Sequence, residues 1–595
     1  MPTGGGKSIT FQVPALAQEG VCLVITPLIS LMKDQVDHLR EKGIQAAAIY
    51  SGMSRANVVQ TLENAIFGGV KLLYISPERL ASDLFQAKLK HMKVSFITVD
   101  EAHCISQWGY DFRPSYLAIA DVRKIVPDVP VLALTATATP DVIEDIQARL
   151  LFKEPNVFRM SFARNNLSYI VKSVQDKPGE LLHLLQIIPG SAIVYVRSRK
   201  KTKDIAQYLL QHNIAATWYH AGLDPVEKDA RQTSWQKDEI RVIVATNAFG
   251  MGIDKPDVTM VVHIDTPSSI EAYFQEAGRA GRDGNPASAI LLFNGHDASQ
   301  LRKRIDDTFP DKEFIVTIYN HLAYFYQIGV NSGYNKTFEF PIDKFCFIFH
   351  HFPIRVNAAL EILSRAGYIL YDADPNTRAR VKFLLSRNEL YRVEQSSPQE
   401  NAVIISLLRR YAGLFVDYAY IDEAFIAHDV ELSKDETYRI LIGLSKKRII
   451  DFIPRRNIPL ITYLTDRVDG EEIVLSKDVY DDRKREFAKR IQSVIAYARN
   501  NGECRSSQLL AYFGETDAHP CGHCDVCMNQ NPAYMSDNQL EPIKQTILSM
   551  LSDGEGHCVT ELRNIPQQSE LISRALNDLL DDEQVVMDGS TIFLR

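Results

Sequence analysis

Three consecutive glycines ahead of a Lys-Ser pair, at the start of the chain, constrain its fold more than any other feature. In Gly4-Gly5-Gly6-Lys7-Ser8 the absent side chains let backbone N–H groups converge on phosphate oxygens, where a Cβ would obstruct. Lys7 supplies charge for the β- and γ-phosphates, and the Ser8 hydroxyl is a hard oxygen ligand suited to Mg2+. Such a loop joins a β-strand to a helix whose positive N-terminal end faces the anion. A helix can follow here, but no strand-forming run precedes Met1, so the expectation is an ATP-driven α/β chain cut at its amino end.

At 595 residues the chain exceeds a single core, and about four to six domains are expected at roughly 100–200 residues each. No apolar run approaches the ~20 residues of a membrane span, so no membrane partner is expected. A net charge of −8 argues mildly against a passive nucleic-acid coat but says little about a motor that grips its track through local patches. Four of the eight cysteines, Cys504, Cys521, Cys524 and Cys527, fall in one short segment. That crowding reads as a metal site in a reducing compartment rather than as disulfides.

Residues 1–300 alternate short β-rich runs with helical stretches. Strands are expected at Val21–Thr26, Lys71–Ser76, Val94–Asp100 and Val131–Thr135, then at Ala192–Val196, Ala215–His220, Arg241–Thr246 and Thr259–Asp265, with a lobe boundary near 160–185. Beyond residue 300 helices dominate: Glu313–Ile328, Ile354–Tyr371 running into a strand, Val403–Tyr411 and Thr437–Lys447. The tail offers helices Pro542–Leu551 and Glu570–Leu580, then two strands across Asp588-Gly589, the pattern of a winged helix.

Asp100-Glu101-Ala102-His103 follows an apolar strand, where a carboxylate can hold Mg2+ opposite Ser8 while Glu101 orients the attacking water. An acidic turn is the plainer reading of that string alone; downstream of a phosphate loop it loses ground. Leu134–Pro140, with hydroxyls at alternate positions, could couple the nucleotide site to DNA or to the second lobe. In Gln275–Gly284, Arg279 and Arg282 lie three apart at what reads as a helix start, planar cations suited to a γ-phosphate whose charge spreads in the transition state. Solvated surface arginines are the bland alternative. The cysteines, spaced C-x16-C-x2-C-x2-C, suit tetrahedral Zn2+; Cys22, Cys104, Cys346 and Cys558 read as single buried thiols.

Taken in order, these strings resemble a superfamily 2 helicase, and in detail the RecQ family of DNA helicases. The matching segments are Met1–Ser8, Thr26–Gln35, Ser76–Leu80, the DEAH string, Leu134–Pro140, Val194–Arg199, Tyr219–Gly222, Ala245–Val258, Gln275–Gly284, the aromatic-rich Cys104–Tyr116, and the zinc strings Cys504–Glu515 and Cys521–Cys527. The resemblance implies two RecA-like P-loop lobes followed by helical zinc-binding and winged-helix domains. It implies catalysis by Lys7, Asp100, Glu101, Arg279 and Arg282, with ATP also held by Thr3, Gly4, Gly5, Gly6, Ser8 and Gln275. Mg2+ would sit at Ser8 and Asp100, and Zn2+ at the four cysteines. Gln107, Trp108, Phe112 and Arg113 would sense single-stranded DNA, since an aromatic ring stacks on any base. Arg483, Lys484, Arg485, Lys489 and Arg490 would meet duplex or forked DNA through phosphates. A single-strand-binding protein as partner, 3′→5′ polarity, roles in recombination and repair, and a bacterial cytoplasmic, nucleoid-associated location are implied in the same way.

The expected division is 1–165 and 166–305 for the lobes, 306–395 and 396–472 for winged-helix-like inserts, 473–532 for the zinc domain and 538–595 for the C-terminal winged helix. The insert departs from the usual family order, and the family's upstream adenine motif and its C-terminal accessory domain are not in the sequence. The Asp588-Gly589 turn is one candidate for a strand-separating wedge. Rival readings are an RNA helicase, a duplex translocase that does not unwind, and an inactive DNA-binding fragment.

Overall fold

Strands at the centre of a parallel sheet are covered on both faces, so their sequences run apolar without alternation. The computed structural model shows this in β1 (Val21–Ile25), whose five residues are all buried. It describes every residue except 2–4, 51–52, 107–108, 110, 251–254, 374–378, 386–388, 390–396, 412, 416–417, 455–457, 531–536, 566–568, 583 and 589–590. With β2 (Ala46–Ile49), β3 (Leu72–Ile75), β4 (Val94–Val99) and β5 (Val131–Ala133), β1 forms a parallel sheet of order β2-β3-β1-β4-β5. Helices pack on both faces, so two cores flank the sheet. One contains Leu23, Ile25, Ile97 and Val99, the other Cys22, Val24, Phe96 and Leu134.

The second lobe repeats the scheme with β6 (Leu167–Ser173), β7 (Ser191–Tyr195), β8 (Ala216–Tyr219), β9 (Val242–Ala245), β10 (Val258–His263) and β11 (Ala287–Phe293). All pairs are parallel, in the order β6-β11-β10-β7-β9-β8. The eight strands expected in the two lobes are present, and β2, β6 and β11 add to them. Both lobes are therefore of the RecA-like parallel type.

The chain divides into two units, one of Met1–Arg302 with Glu486–Arg595, the other of Lys303–Arg485. In the first, helices Asp481–Arg499 (from Glu486 onward), Arg505–Tyr512 and Asp525–Gln530 surround the cysteine group. Helices Asp537–Met550 and Ser569–Asp581 follow, with β18 (His557–Cys558), β19 (Val585–Asp588) and β20 (Thr591–Leu594) in the order β18-β20-β19. Asp588 pairs with Thr591, so the expected hairpin forms, although Gly589 at its tip lies outside the described residues. Cys558 is half-buried rather than buried, because it sits on the short edge strand β18. Among the described residues no helix is long and apolar enough to cross a membrane.

In the second unit one winged helix is inserted into the wing of another. Helix Lys312–Phe325, β12 (Thr337–Glu339), helices Ile342–Phe349 and Pro353–Arg365, and β13 (Ile369–Asp372) come first. The chain then makes β14 (Arg380–Phe383), helix Pro398–Arg410, β15 (Ala419–Tyr420), helices Glu423–Asp429 and Lys434–Lys446, and β16 (Ile450–Ile453), before returning as β17 (Leu460–Tyr463). Strand β17 pairs with β12 and β13, while β14 pairs with β15 and β16. The outer sheet has the strand order of the C-terminal winged helix, first-last-second, whereas the inner one takes its central strand, β14, from the start of its segment. The two stretches expected to follow one another, 306–395 and 396–472, are thus interleaved by strand pairing.

Helices of the inner unit begin earlier than their apolar periodicity suggests. Ser397 with Glu400, and Ser433 with Glu436, form reciprocal capping boxes that satisfy orphan N–H groups at the starts of the Pro398 and Lys434 helices. Glu400 also pairs with Lys447 at 2.7 Å, tying the first helix of the unit to the end of the third.

Since Asp372 and Leu460 stand opposite each other on β13 and β17, a two-residue turn can close the outer sheet without the insert. Replacing 373–459 by Asn-Gly in the full chain is expected to leave amide exchange in β12 and β13 at wild-type rates. Loss of protection in those strands would show that the outer sheet depends on the inserted unit.

Candidate functional site

The site begins where the glycine loop turns into a helix. Gly6 has φ +79°, and a Cβ built there would meet nothing within 4 Å, so conformation rather than crowding demands glycine. Helix Lys7–Ala17 starts at once, with no side chain capping its first N–H groups. Those amides, with Lys7, are the donors a phosphate requires. Thr3 and Gly4 lie outside the described residues; Gly5, Gly6 and Ser8 flank Lys7 at this helix start.

Lys7 Nζ lies 3.3 Å from Glu101 Oε1. Glu101 has φ 47°, a left-handed conformation that costs a side-chain-bearing residue free energy and re-aims its carboxylate from the end of β4. Its N–H donates to Asp100 Oδ1 at 3.0 Å, and the Asp100 N–H donates to Ile25 O at 2.8 Å. Burial, reinforced by the adjacent Glu101 carboxylate, pushes Asp100 up to about 6. Burial opposes the charge on Glu101 too, but Lys7 and His103 together hold its carboxyl below the ordinary range. Burial lowers His103, favouring its neutral form; its Nδ1 lies 3.0 Å from Thr135 Oγ1 and 3.4 Å from Glu101 Oε2. The DEAH string and the threonine-rich strand end are therefore in direct contact. Hard carboxylate and hydroxyl oxygens beside a lysine and uncapped helix amides fit Mg2+ and a triphosphate.

Arg279 and Arg282 do not open a helix, contrary to expectation. Helix Ile270–Ala277 ends at Gly278, and Gly281 at φ +61° donates its N–H to Val258 O, so both arginines lie in the turn beyond the helix C-terminus. Arg279 is 4% exposed and its guanidinium donates to Gly250 O, beside Phe249 O, which accepts from the Tyr195 hydroxyl at 2.7 Å. Its charge also reaches Glu101, helping to hold that carboxyl down. Gln275 and Arg282 are half-buried near it in the chain.

In the aromatic-rich segment Gln107 and Trp108 lie outside the described residues. Phe112 is half-buried, and Arg113 is gripped by Asp111 Oδ2 at 3.1 and 3.2 Å and donates to Pro27 O at 3.4 Å. Tyr116, at the segment's end, donates to Asp100 O at 3.0 Å, a direct tie from this segment to the carboxylate strand. Gly109 packs so closely that a Cβ would meet His103 O at 2.6 Å, and its own carbonyl accepts from Arg490 at 3.2 Å. Arg490 is thus directed at the aromatic segment, which sequence spacing did not indicate. Of the other basic candidates, Arg483 donates to Asp478 O at 3.2 Å, Lys484 lies 3.4 Å from the Tyr480 hydroxyl, Arg485 pairs with Asp482 at 2.8 Å, and Lys489 is exposed.

The four thiols of Cys504, Cys521, Cys524 and Cys527 lie within 4.8 Å of one another, with Cys504 and Cys524 3.9 Å apart. Sulfurs bound tetrahedrally at ~2.3 Å from zinc stand ~3.8 Å apart, so the group fits Zn2+. Backbone N–H groups of Cys521, Arg505 and Cys527 point at Cys504 and Cys524 sulfurs, which favours thiolate. His523 faces Ser168 Oγ at 3.2 Å, away from any ligand role. Arg505, buried with Asp525 at 2.9 Å, braces the helix that Cys504 begins.

Loss of one thiolate should release the metal. Cys524→Ser is expected to purify with far less than one zinc per chain and to unfold several degrees lower, since structural zinc binding is itself folding free energy of about 10 kcal/mol in small domains. Full zinc occupancy, measured by elemental analysis, would remove Cys524 from the ligand set.

Family models match the chain in four places: DEAD/DEAH box helicase over 1–146, helicase conserved C-terminal domain over 176–284, RecQ helicase winged-helix domain of Bacteroidota over 381–454, and RecQ zinc-binding over 464–528. The winged-helix match falls on the inner, inserted unit. Relatives named ATP-dependent DNA helicase RecQ are 45% identical over 307 residues in Pasteurella multocida (51% of this chain, 48% of the relative) and 43% over 304 in Haemophilus influenzae (51% and 49%). Another of the same name in Bacillus subtilis is 46% identical over 311 residues (52% of each). The chain spans about half the length of these curated relatives. Two helicase-lobe models, a RecQ winged-helix model and a RecQ zinc-binding model thus match along this one sequence, and the likeness is to the RecQ helicases.

Proposed function

We propose that the protein is an ATP-dependent DNA helicase that couples nucleotide hydrolysis between its lobes to movement along a single strand. One observation carries this reading: Tyr116 joins the aromatic segment to the backbone of Asp100, within a cluster where Lys7 meets Glu101. A strand stacked on that segment would act on the residues that position the attacking water. Bound Mg2+ would supply charge neutralisation for the phosphates. Lys7 would hold the transferring phosphate, Glu101 would orient and deprotonate water, and Arg279 with Arg282 would meet developing charge. The relatives' name, ATP-dependent DNA helicase RecQ, agrees with the reading.

Polarity of 3′→5′, action on single-stranded and forked DNA in recombination and repair, and work at a bacterial nucleoid in the cytoplasm are the finer parts of the proposal. A single-strand-binding protein is its partner by family resemblance alone. They rest on likeness to the RecQ relatives rather than on a contact within the chain.

Phosphate release with and without a DNA oligonucleotide tests the central claim. Single-stranded DNA should stimulate turnover, and Lys7→Ala should lower the stimulated rate about a hundredfold or more. Stimulation by RNA alone would make this an RNA motor, and equal rates for wild type and Lys7→Ala would leave only a DNA-binding fragment. Tailed duplexes should separate only when the single-stranded tail is 3′.

A further inference from the structure

The second lobe's helix Ile270–Ala277 is eight residues long and leads directly into Arg279 and Arg282, so its placement sets theirs. Three of its side chains meet the zinc module. Glu271, 5% exposed, accepts from the Tyr512 hydroxyl at 2.9 Å; its other oxygen, Oε2, is buried and has no hydrogen-bond partner among the described residues. Tyr273 lies against Tyr497, hydroxyl to hydroxyl at 3.4 Å, and Phe274 against Phe513, ring centres 5.0 Å apart. Phe513 also touches Phe162 of the segment between the lobes, where Glu515 accepts from Ser161 Oγ and Phe162 N, both at 2.7 Å.

The metal is mechanically connected to these contacts. Cys504 is the residue from which helix Arg505–Tyr512 starts, and Tyr512 is that helix's last residue. From the same module Arg490 donates to Gly109 O in the aromatic segment of the first lobe. The module thus grips the segment expected to sense DNA through Arg490, and the helix that precedes the two arginines through Tyr497, Tyr512 and Phe513. Burial, helped by the Glu271 carboxylate, raises the Tyr512 phenol well above its ordinary value, so it stays a donor. A buried carboxylate that loses its donor must move or be resolvated, and the helix carrying it moves as well.

We propose that Tyr512 is a positioning residue for hydrolysis: its hydrogen bond to Glu271 fixes the helix that delivers Arg279 and Arg282 to the nucleotide. This rests on the nucleotide reading given under Proposed function. It differs from a bracing role for the zinc module because it assigns the effect to one hydrogen bond and to catalytic turnover.

The test uses the full zinc-loaded chain carrying Tyr512→Phe, which keeps the ring and removes only the hydroxyl. Amides of 270–282 should exchange about threefold faster or more, with zinc content unchanged. The kcat for DNA-stimulated ATP hydrolysis should fall about tenfold while KM for ATP stays within about twofold. Glu271→Ala removes the acceptor from the other side and should quicken exchange over 270–282 and lower kcat as Tyr512→Phe does, again with zinc content unchanged. Wild-type exchange over 270–282 in Tyr512→Phe overturns the proposal, as does an unchanged kcat despite faster exchange. Loss of zinc with faster exchange throughout the second lobe also overturns it, because that is the signature of a brace. Should the wild-type protein itself turn over no ATP, the nucleotide reading fails on its own, and exchange over 270–282 still decides whether Tyr512 positions the helix.

Discussion

Strands buried on both faces cannot carry polar chemistry along their length, so the functional groups of each lobe are displaced to the strand ends. Val94–Val99 ends in four buried apolar or hydroxyl-bearing residues, and the chain then turns through Glu101 in a left-handed conformation. That turn places Asp100, Glu101 and His103 beside Lys7 and Thr135, which arrive from the helix after the glycine loop and from the end of a neighbouring strand. The strained residue is held by what surrounds it: Lys7 on one carboxylate oxygen, His103 near the other, and the Asp100 carboxylate on its backbone N–H. The cluster of Lys7, Asp100, Glu101, His103 and Thr135 is therefore a product of sheet register. A shift of β4 by one residue would exchange the faces of every side chain in it.

The zinc module has a different mechanical character. The buried cluster at its thiols is small, the cysteines themselves with Val526, while Ile491, Val494, Leu509 and Leu510 of its helices are buried as well. Zinc bound there would cross-link these helices, from which Tyr497, Tyr512, Phe513 and Glu515 reach the second lobe and the segment before it, while Arg490 reaches the first. Contacts of this kind tie the cysteine group to both lobes although it lies apart from Lys7 and Glu101.

Much of the motor was legible because its strands are β-branched runs bounded by turn residues, and because phosphate chemistry permits few alternatives to Gly-Gly-Gly-Lys-Ser. The strand Ala46–Ile49 was not legible, since three alanines carry no strand preference, and Ala287–Phe293 is Leu/Ala-rich enough to pass for a helix. The early helix starts at Pro398 and Lys434 were readable from Ser-x-x-Glu spacing, a signal that apolar periodicity alone overlooks. Three-residue spacing of the arginine pair suits a helix start, yet two glycines, Gly278 and Gly281, end the preceding helix and hold both arginines in a turn.

What the sequence determined by itself was the chemistry: which residues can hold a triphosphate, which thiols can hold zinc, and which aromatic segment suits a nucleic-acid base. Each of these depends on residue types at short spacing, where the chain's own geometry limits the outcome. Only the tertiary structure decided that β17 closes a sheet begun more than a hundred residues earlier around an inserted winged helix, that Arg490 turns to Gly109, and that Tyr512 meets Glu271. Those partners are separated by long stretches of chain, and their meeting is set by how whole elements pack, which no local pattern of residues records.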